Sequence, residues 1–347
     1  MVRIKLRTKL PPQDNYFYSK KVLRRFGYSD FEINQYYQRL DDLRRAIHPQ
    51  ADLKMTSREF FVKCADSVPI FCQSWMVNRP KGLILCQHGN SVHGDLFYPF
   101  ADEMVADGWS VISIDNRGHG RSGPRRGLFD EPEKMVHIYT SIMRSWRQKH
   151  PNTPVIMFGQ SLGCIMVAKC FSKKNPRGIV PDALILNVPP YEMGATRYLR
   201  PAEKLIKLTL LPIFTILGNL FYKMPVLYHR FYEPIPTYIK EFQVYDKNDP
   251  LINRRHYLIT FRSLGILFME FHHLIPNISV PTLILQGTGD SILDPTGARL
   301  LYDEINSPDK TIKFYSKANH SQFMDENSQQ IYTDIHSWAN SLALRWS

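Results

Sequence analysis

Three residues that together can run nucleophilic acyl transfer occur in the order Ser161, Asp290, His320. Ser161 lies in MFGQSLGC, between Gly159 and Gly163 and directly after the apolar run Pro154 to Phe158. A strand turning sharply into a helix at Ser161 would hold that residue in a strained conformation with its hydroxyl exposed, and side chains at 159 and 163 would crowd the turn. The bland alternative is a helix N-cap serine flanked by helix-packing glycines. Partners separate the two readings, because acyl transfer by serine needs a base, an acid that orients the base, and donors for the oxyanion. After TLILQ the chain reads Gly287-Thr288-Gly289-Asp290, and after IKFYSKA it reads Asn319-His320. Asp294 and Asp325 are alternative acids; Asp290 is favoured as the one closest to its strand end. His320, one of 12 histidines, stands out because it follows the last strand-like run and precedes the final helix-like one. His88, His93 and His119 read as loop or oxyanion-region residues. The tight turn His88-Gly89-Asn90 offers the backbone N–H of Asn90, and with that of Leu162 it makes a two-donor oxyanion hole.

The elements that must hold these groups follow from the apolar rhythm. GLILCQHG, WSVISIDNRGHG, PVIMFGQSLG, DALILNVPP, PTLILQGTGD and TIKFYSKANH are apolar runs that lead into Gly, Asp, Asn or Pro, with helix-like segments between most of them. Buried strands alternating with helices predict a mostly parallel sheet covered on both faces, with functional groups at the carboxyl ends of the strands. Before them, REFFVKCA and PIFCQSWMV read as a hairpin turning at Asp66-Ser67. Residues 14–47 mix charge and aromatics at helical spacing, with Ser29-Asp30 as a cap. The interval from Tyr191 to Val280 is far too long for one crossover helix and reads as an inserted cap. The predicted organisation is a basic N-terminal helical extension over 1–57, a core over 58–190 and 276–347, and an inserted helical cap over 191–275.

Composition narrows the function classes. The 347 residues are 44% hydrophobic and 22% charged, an ordinary globular balance. The five cysteines form no C-x-x-C pair and most lie in apolar runs, which predicts a reducing, cytoplasmic setting. The formal net charge is +12, and residues 1–50 carry eleven Lys or Arg against five Asp or Glu, half the excess. No zinc spacing, aromatic RNA-binding motif or phosphate-binding glycine loop accompanies that charge, so nucleic acid is not expected. Solvated surface is the simplest reading of the arm. The other is contact with anionic lipid through Arg3, Lys5, Arg7 and Lys9, joined by apolar residues near Phe214 and Phe221 of the cap. The run Leu205 to Tyr222 is interrupted by Lys207, Pro212, Gly218 and Asn219 and is a poor candidate for spanning a bilayer.

The stretches LILCQHGNSVHG, VISIDNRGHGRSGPRRG, PVIMFGQSLGC, PTLILQGTGDSILDPTGARLL and KANHSQF, spread from Leu83 to Phe323, resemble the serine-hydrolase branch of the α/β-hydrolase superfamily. That branch holds monoacylglycerol lipases, lysophospholipases and serine aminopeptidase-like hydrolases. The resemblance implies an α/β-hydrolase fold with Ser161 as nucleophile, Asp290 as acid, His320 as base, Asn90 and Leu162 as oxyanion donors, and neither metal nor organic cofactor. It departs where the head group is chosen: Asn90-Ser91-Val92-His93 replaces the glycine and acid usual in monoacylglycerol lipases, and Gln160 stands where histidine is frequent. The expected activity is hydrolysis of a single-chain lipid ester, with acyl transfer, peptide hydrolysis and a non-catalytic lipid-binding scaffold as alternatives. His320 and Asp325 also form an H-x-x-x-x-D spacing that some acyltransferases use.

Overall fold

The computed structural model describes residues 24, 29–47, 57–175, 178–191, 211–222, 224–228, 246–325 and 328–346. Its centre is an eight-stranded sheet made of β1 (Arg58–Lys63), β2 (Pro69–Trp75), β3 (Leu83–Gln87), β4 (Ser110–Ile114), β5 (Val155–Gln160), β6 (Ala183–Asn187), β9 (Thr282–Gly287) and β10 (Lys310–Tyr315). The strand order is β1-β2-β4-β3-β5-β6-β9-β10. β1 and β2 form the predicted antiparallel hairpin, β2 is antiparallel to β4, and every pairing from β4 to β10 is parallel. The remaining described strands, β7 (Pro225–Tyr228) and β8 (Arg255–Tyr257), form a separate antiparallel ribbon, so the inserted span expected to be helical also carries strands, which are too short to stand out as apolar runs.

Strand side chains alternate between the two faces, and each face has its own core. Leu83, Leu85, Val155, Met157, Leu184 and Leu186 point to one side. There they meet α3 (Lys134–Lys149), α4 (Leu162–Ala168), α6 (Leu258–Leu274) and α7 (Pro295–Glu304). Ile84, Cys86, Ile156, Phe158, Ala183 and Ile185 point to the other side. That side is covered by α1 (Asp30–Ile47), α2 (Tyr98–Ala106) and α8 (Ser328–Ala343). Central strands buried on both faces have no polar alternation, which is why they read as continuous apolar runs.

Helix α1 begins at a capping box: the Ser29 hydroxyl accepts from the Glu32 N–H at 3.3 Å, and the Glu32 carboxylate accepts from the Ser29 N–H at 2.8 Å. Its Ile33, Tyr36, Leu40 and Leu43 pack into the second core, each stabilising that union by roughly 1.5–3 kcal/mol through buried apolar surface. Residues 30–47 are therefore part of the globular body. Arg3, Lys5, Arg7 and Lys9 lie outside the described residues.

Within the span 191–275, α5 (Leu211–Leu220) packs on α6. The inner face of α6, through Leu267, Phe271 and Leu274, joins the core of the main sheet. Among the described residues, Leu258–Asn277 is the one helical stretch long and apolar enough by composition to cross a membrane, and 44% of its most apolar window is buried inside the protein. All five cysteines are buried thiols.

Candidate active site

At the carboxyl end of β5 the chain reverses into α4 through Ser161, whose φ of 53° and ψ of −121° are costly for a residue with a Cβ. Two glycines make that turn sterically open. A Cβ on Gly159 would lie 2.6 Å from the Gly163 carbonyl oxygen, and one on Gly163 would lie 2.1 Å from the Gln87 carbonyl oxygen. The Ser161 N–H donates to the Asn187 carbonyl at 2.9 Å, which pins the elbow to the end of β6. Leu162 is the first residue of α4, so its N–H lies outside the helical ladder and at the positive end of the helix dipole.

The turn after β3 abuts this elbow. A Cβ on Gly89 would sit 3.2 Å from Ser161 Cβ and 3.7 Å from its Oγ, so the backbone there can approach only because residue 89 is glycine. His88 beneath it is fully buried. Burial first, then the neighbouring imidazole of His119, hold its pKa well below the usual histidine value, so the ring is neutral. Its Nε2 accepts from the Asn116 N–H at 2.9 Å, which leaves Nδ1 to donate to the Gly89 carbonyl at 2.7 Å. In a trans peptide the C=O and N–H point to opposite sides. The Asn90 N–H, in the same peptide unit, therefore points away from the imidazole.

Asp290, after β9, and His320, after β10, come together: Asp290 Oδ2 accepts from His320 Nδ1 at 2.8 Å, and both are buried. The other carboxylate oxygen accepts the N–H groups of Ile292 at 2.9 Å and Leu293 at 3.0 Å, which orients the acid. The alternative acids are used differently. Asp294 caps α7, accepting from the Thr296 N–H at 2.9 Å and its hydroxyl at 2.7 Å. Asp325 is buried and accepts the Asn319 N–H at 2.9 Å, so the spacing of His320 and Asp325 braces the loop that carries the imidazole.

Around the site lies a buried polar network that sequence reasoning missed. Arg121 forks onto Asp95 at 2.8 and 2.6 Å, and the Tyr36 hydroxyl of α1 also reaches that carboxylate. Burial would raise the Asp95 pKa, but the Arg121 charge outweighs it and holds the group at about 2. His93 meets Asp249 at 2.6 Å; burial opposes its charge, yet the Asp249 carboxylate leaves its pKa raised. From the same segment the Asn253 N–H donates to the Ser91 carbonyl at 2.8 Å, and Asn253 Nδ2 to the Gly118 carbonyl at 2.9 Å. No spacing in NDPLIN marks these residues, because their partners are more than a hundred positions away. Among the described residues, no group of three or more His, Cys, Asp or Glu side chains is placed to hold a metal ion. A separate cleft of about 280 Å³, lined by residues including Glu131, Lys169, Arg262 and Glu270, contains none of the residues singled out above.

A mostly parallel sheet with an elbow serine after β5 and an acid and histidine after its last two strands defines the α/β-hydrolase class. Residues 78–327 match the model of the serine aminopeptidase S33 family, and the chain belongs to that family. The monoglyceride lipase homolog of Monkeypox virus is 27% identical over 279 residues, covering 79% of this chain and 95% of that protein. The monoglyceride lipase of Homo sapiens is 26% identical over 291 residues, covering 80% and 88%. Among solved structures, a soluble variant of monoglyceride lipase from Saccharomyces cerevisiae in complex with a substrate analog superposes with a TM-score of 0.70 at 18% identity, covering 85% of this chain and 97% of that one. By class the chain is a serine ester hydrolase.

Proposed function

We propose that the chain hydrolyses carboxylic esters of single-chain lipids, a monoacylglycerol or a lysophospholipid, through an acyl-enzyme on Ser161. Ser161 Oγ attacks the ester carbonyl while His320 takes its proton, and Asp290 holds the imidazole and stabilises its positive charge. The N–H groups of Asn90 and Leu162 receive the oxyanion. His320 returns the proton to the leaving alcohol, then activates water to release the acyl group. The observation that carries this reading is the 2.8 Å Asp290–His320 contact on the same sheet edge as the strained Ser161 elbow. The lipid part rests on the relatives named above and on the apolar cap.

Fluorophosphonate labelling, followed by a panel of p-nitrophenyl esters, monoacylglycerols, lysophospholipids and peptides, tests it. Labelling at Ser161 with turnover of lipid esters is expected, and Ser161→Ala should lose about six orders of magnitude in kcat. Near-normal turnover in that variant overturns the assignment, and a preference for peptides or for acyl transfer to an added alcohol redirects it.

The proposal extends to a cytoplasmic enzyme that docks peripherally on anionic membranes. Its support is the exposed apolar surface of α5 and the turn after it, formed by Ile213, Ile216, Leu217, Leu220, Phe221 and Met224. Co-sedimentation with phosphatidylserine liposomes at low salt is the measurement, with weakening expected when the first ten residues are removed. Equal recovery in the supernatant with neutral and anionic liposomes rejects the docking and leaves the catalytic assignment untouched.

A further inference from the structure

Asn187, the last residue of β6, occupies a position that touches both sides of the reaction centre. Its carbonyl accepts the Ser161 N–H at 2.9 Å and the Cys164 thiol at 3.3 Å. Its side-chain Oδ1 accepts from Gln322 Nε2 at 2.8 Å, and Gln322 lies two residues after His320 in the turn Gln322–Met324. The same Nε2 is 3.5 Å from the carbonyl of Leu285, which is paired with Asn187 across β6 and β9. Both amides are fully buried. One residue thus grips the nucleophile elbow with its main chain and the histidine loop with its side chain.

Two further observations separate this pair from ordinary packing. Val188, immediately after Asn187, has a φ of 47°, a conformation that a β-branched residue adopts only under constraint from its surroundings. Strain of this kind collects where geometry serves function. The pair is also half-used: Asn187 Nδ2 and Gln322 Oε1 find no protein partner among the described residues. An apolar pair of similar shape would avoid that cost, so stability alone does not select two buried amides here.

We infer that the Asn187–Gln322 hydrogen bond is a positioning pair that sets the approach of His320 to Ser161. It rests on the triad assignment proposed above. Both side chains are fully buried and act through the segments they hold. Asp290 orients the imidazole ring, while Asn187 and Gln322 tie the loop under it to the elbow that carries the nucleophile.

The test uses the full chain and a p-nitrophenyl ester. Asn187→Leu leaves Gln322 only the long contact to the Leu285 carbonyl, Gln322→Leu leaves the Asn187 amide side chain unpaired, and each should lower both the thermal midpoint and kcat. A positional error of about 1 Å can cost on the order of 100-fold, so a kcat loss of about 10- to 100-fold with KM within about twofold is expected. The backbone bond from Ser161 to residue 187 survives in both. The double variant replaces both partners with apolar groups, which restores stability when shapes fit. It should therefore recover the thermal midpoint and keep the low kcat. Recovery of parent kcat in the double variant overturns the inference, since a merely structural pair would regain stability and activity together. Should the double variant not fold, Gln322→Met decides: parent kcat rejects the positioning role, and a loss at unchanged KM upholds it. Fluorophosphonate labelling of the parent keeps the two readings apart. No labelling at Ser161 removes the triad assignment, whereas a labelled parent with an equally fast double variant removes only the positioning pair.

Discussion

Two short apolar helices in this protein meet opposite fates. Every residue of α4, Leu162 to Ala168, is buried. In α5, Ile213, Ile216 and Leu220 are 49%, 59% and 70% exposed. Helix α4 sits between strands and neighbouring helices, so its apolar surface locks the elbow that presents Ser161. Helix α5 rests on α6 along one side and shows its other side to solvent. Composition alone does not distinguish them. The difference is whether a second layer of structure covers the outer face, and that makes the α4 end intolerant of change and the α5 end permissive.

After the loss expected for Ser161→Ala, the next largest effect tests whether the chemistry belongs to the α4 end of the sheet. Asp290→Asn should lower kcat by about four orders of magnitude by misorienting His320, whereas Asp294→Asn and Asp325→Asn should cost at most about tenfold. Steady-state kinetics on one ester with all three variants measures the ranking. A larger loss in Asp294→Asn would move the acid and break the assignment.

A matched pair of glycine substitutions sharpens the contrast in packing. Gly163→Ala places a Cβ 2.1 Å from the Gln87 carbonyl oxygen and should destabilise by about 3 kcal/mol, as overpacking against backbone does. Gly218→Ala in α5 meets nothing closer than 3.5 Å and gains helix propensity, so it should stabilise by about 0.5–1 kcal/mol. Urea unfolding of both variants gives the two signs, and equal signs would contradict the difference between the helices.

Acidity provides the next measurement. Burial holds His88 well below its usual pKa and His119 at about 4, so below about pH 6.5 the unfolded chain binds protons that the folded one refuses. Stability should fall between about pH 6.5 and 4, with His119 alone contributing on the order of 2–3 kcal/mol. His93 works in the other direction. Its raised pKa contributes stability that is fully present below about pH 6.5 and lost as pH rises through the folded value. Denaturant midpoints across pH 4 to 8 should therefore show a shallower acid limb in His119→Gln and the loss of a mild alkaline decline in His93→Gln.

The smallest effect is expected at the exposed end. Ile216→Ser and Leu220→Ser should change stability by no more than about 0.5 kcal/mol. The same variants should reduce liposome co-sedimentation. A destabilisation of several kcal/mol would mean that something covers α5, and the comparison between the two helices would then fail.

How much of this was legible in the residues varies by element. The strands could be read because doubly buried parallel strands are continuous apolar runs, and their ends because Gly, Asp, Asn and Pro stop them. The glycines around Ser161 and the order of Ser161, Asp290 and His320 are local facts at strand ends, so sequence pattern alone singled them out. The position of α1 was less legible. Its charged and aromatic residues look like a surface arm, yet Tyr36 reaches Asp95 and Ile33 and Leu40 enter the core.

Sequence by itself determined the strands of the main sheet, their carboxyl ends and the residues placed there, because apolar runs and turn residues act over a few positions, whereas the ribbon of β7 and β8 is too short to carry such a signal. Only the tertiary structure decided which acid meets His320, since Asp325 is the nearest in sequence yet the folded turns aim the more distant Asp290 at the imidazole. Only the tertiary structure joined Asn187 to Gln322 across 135 positions and His93 to Asp249 across 156. A buried polar group needs a partner, but its chemistry does not say which of many distant groups that partner is; the packing of the sheet against its helices makes that choice.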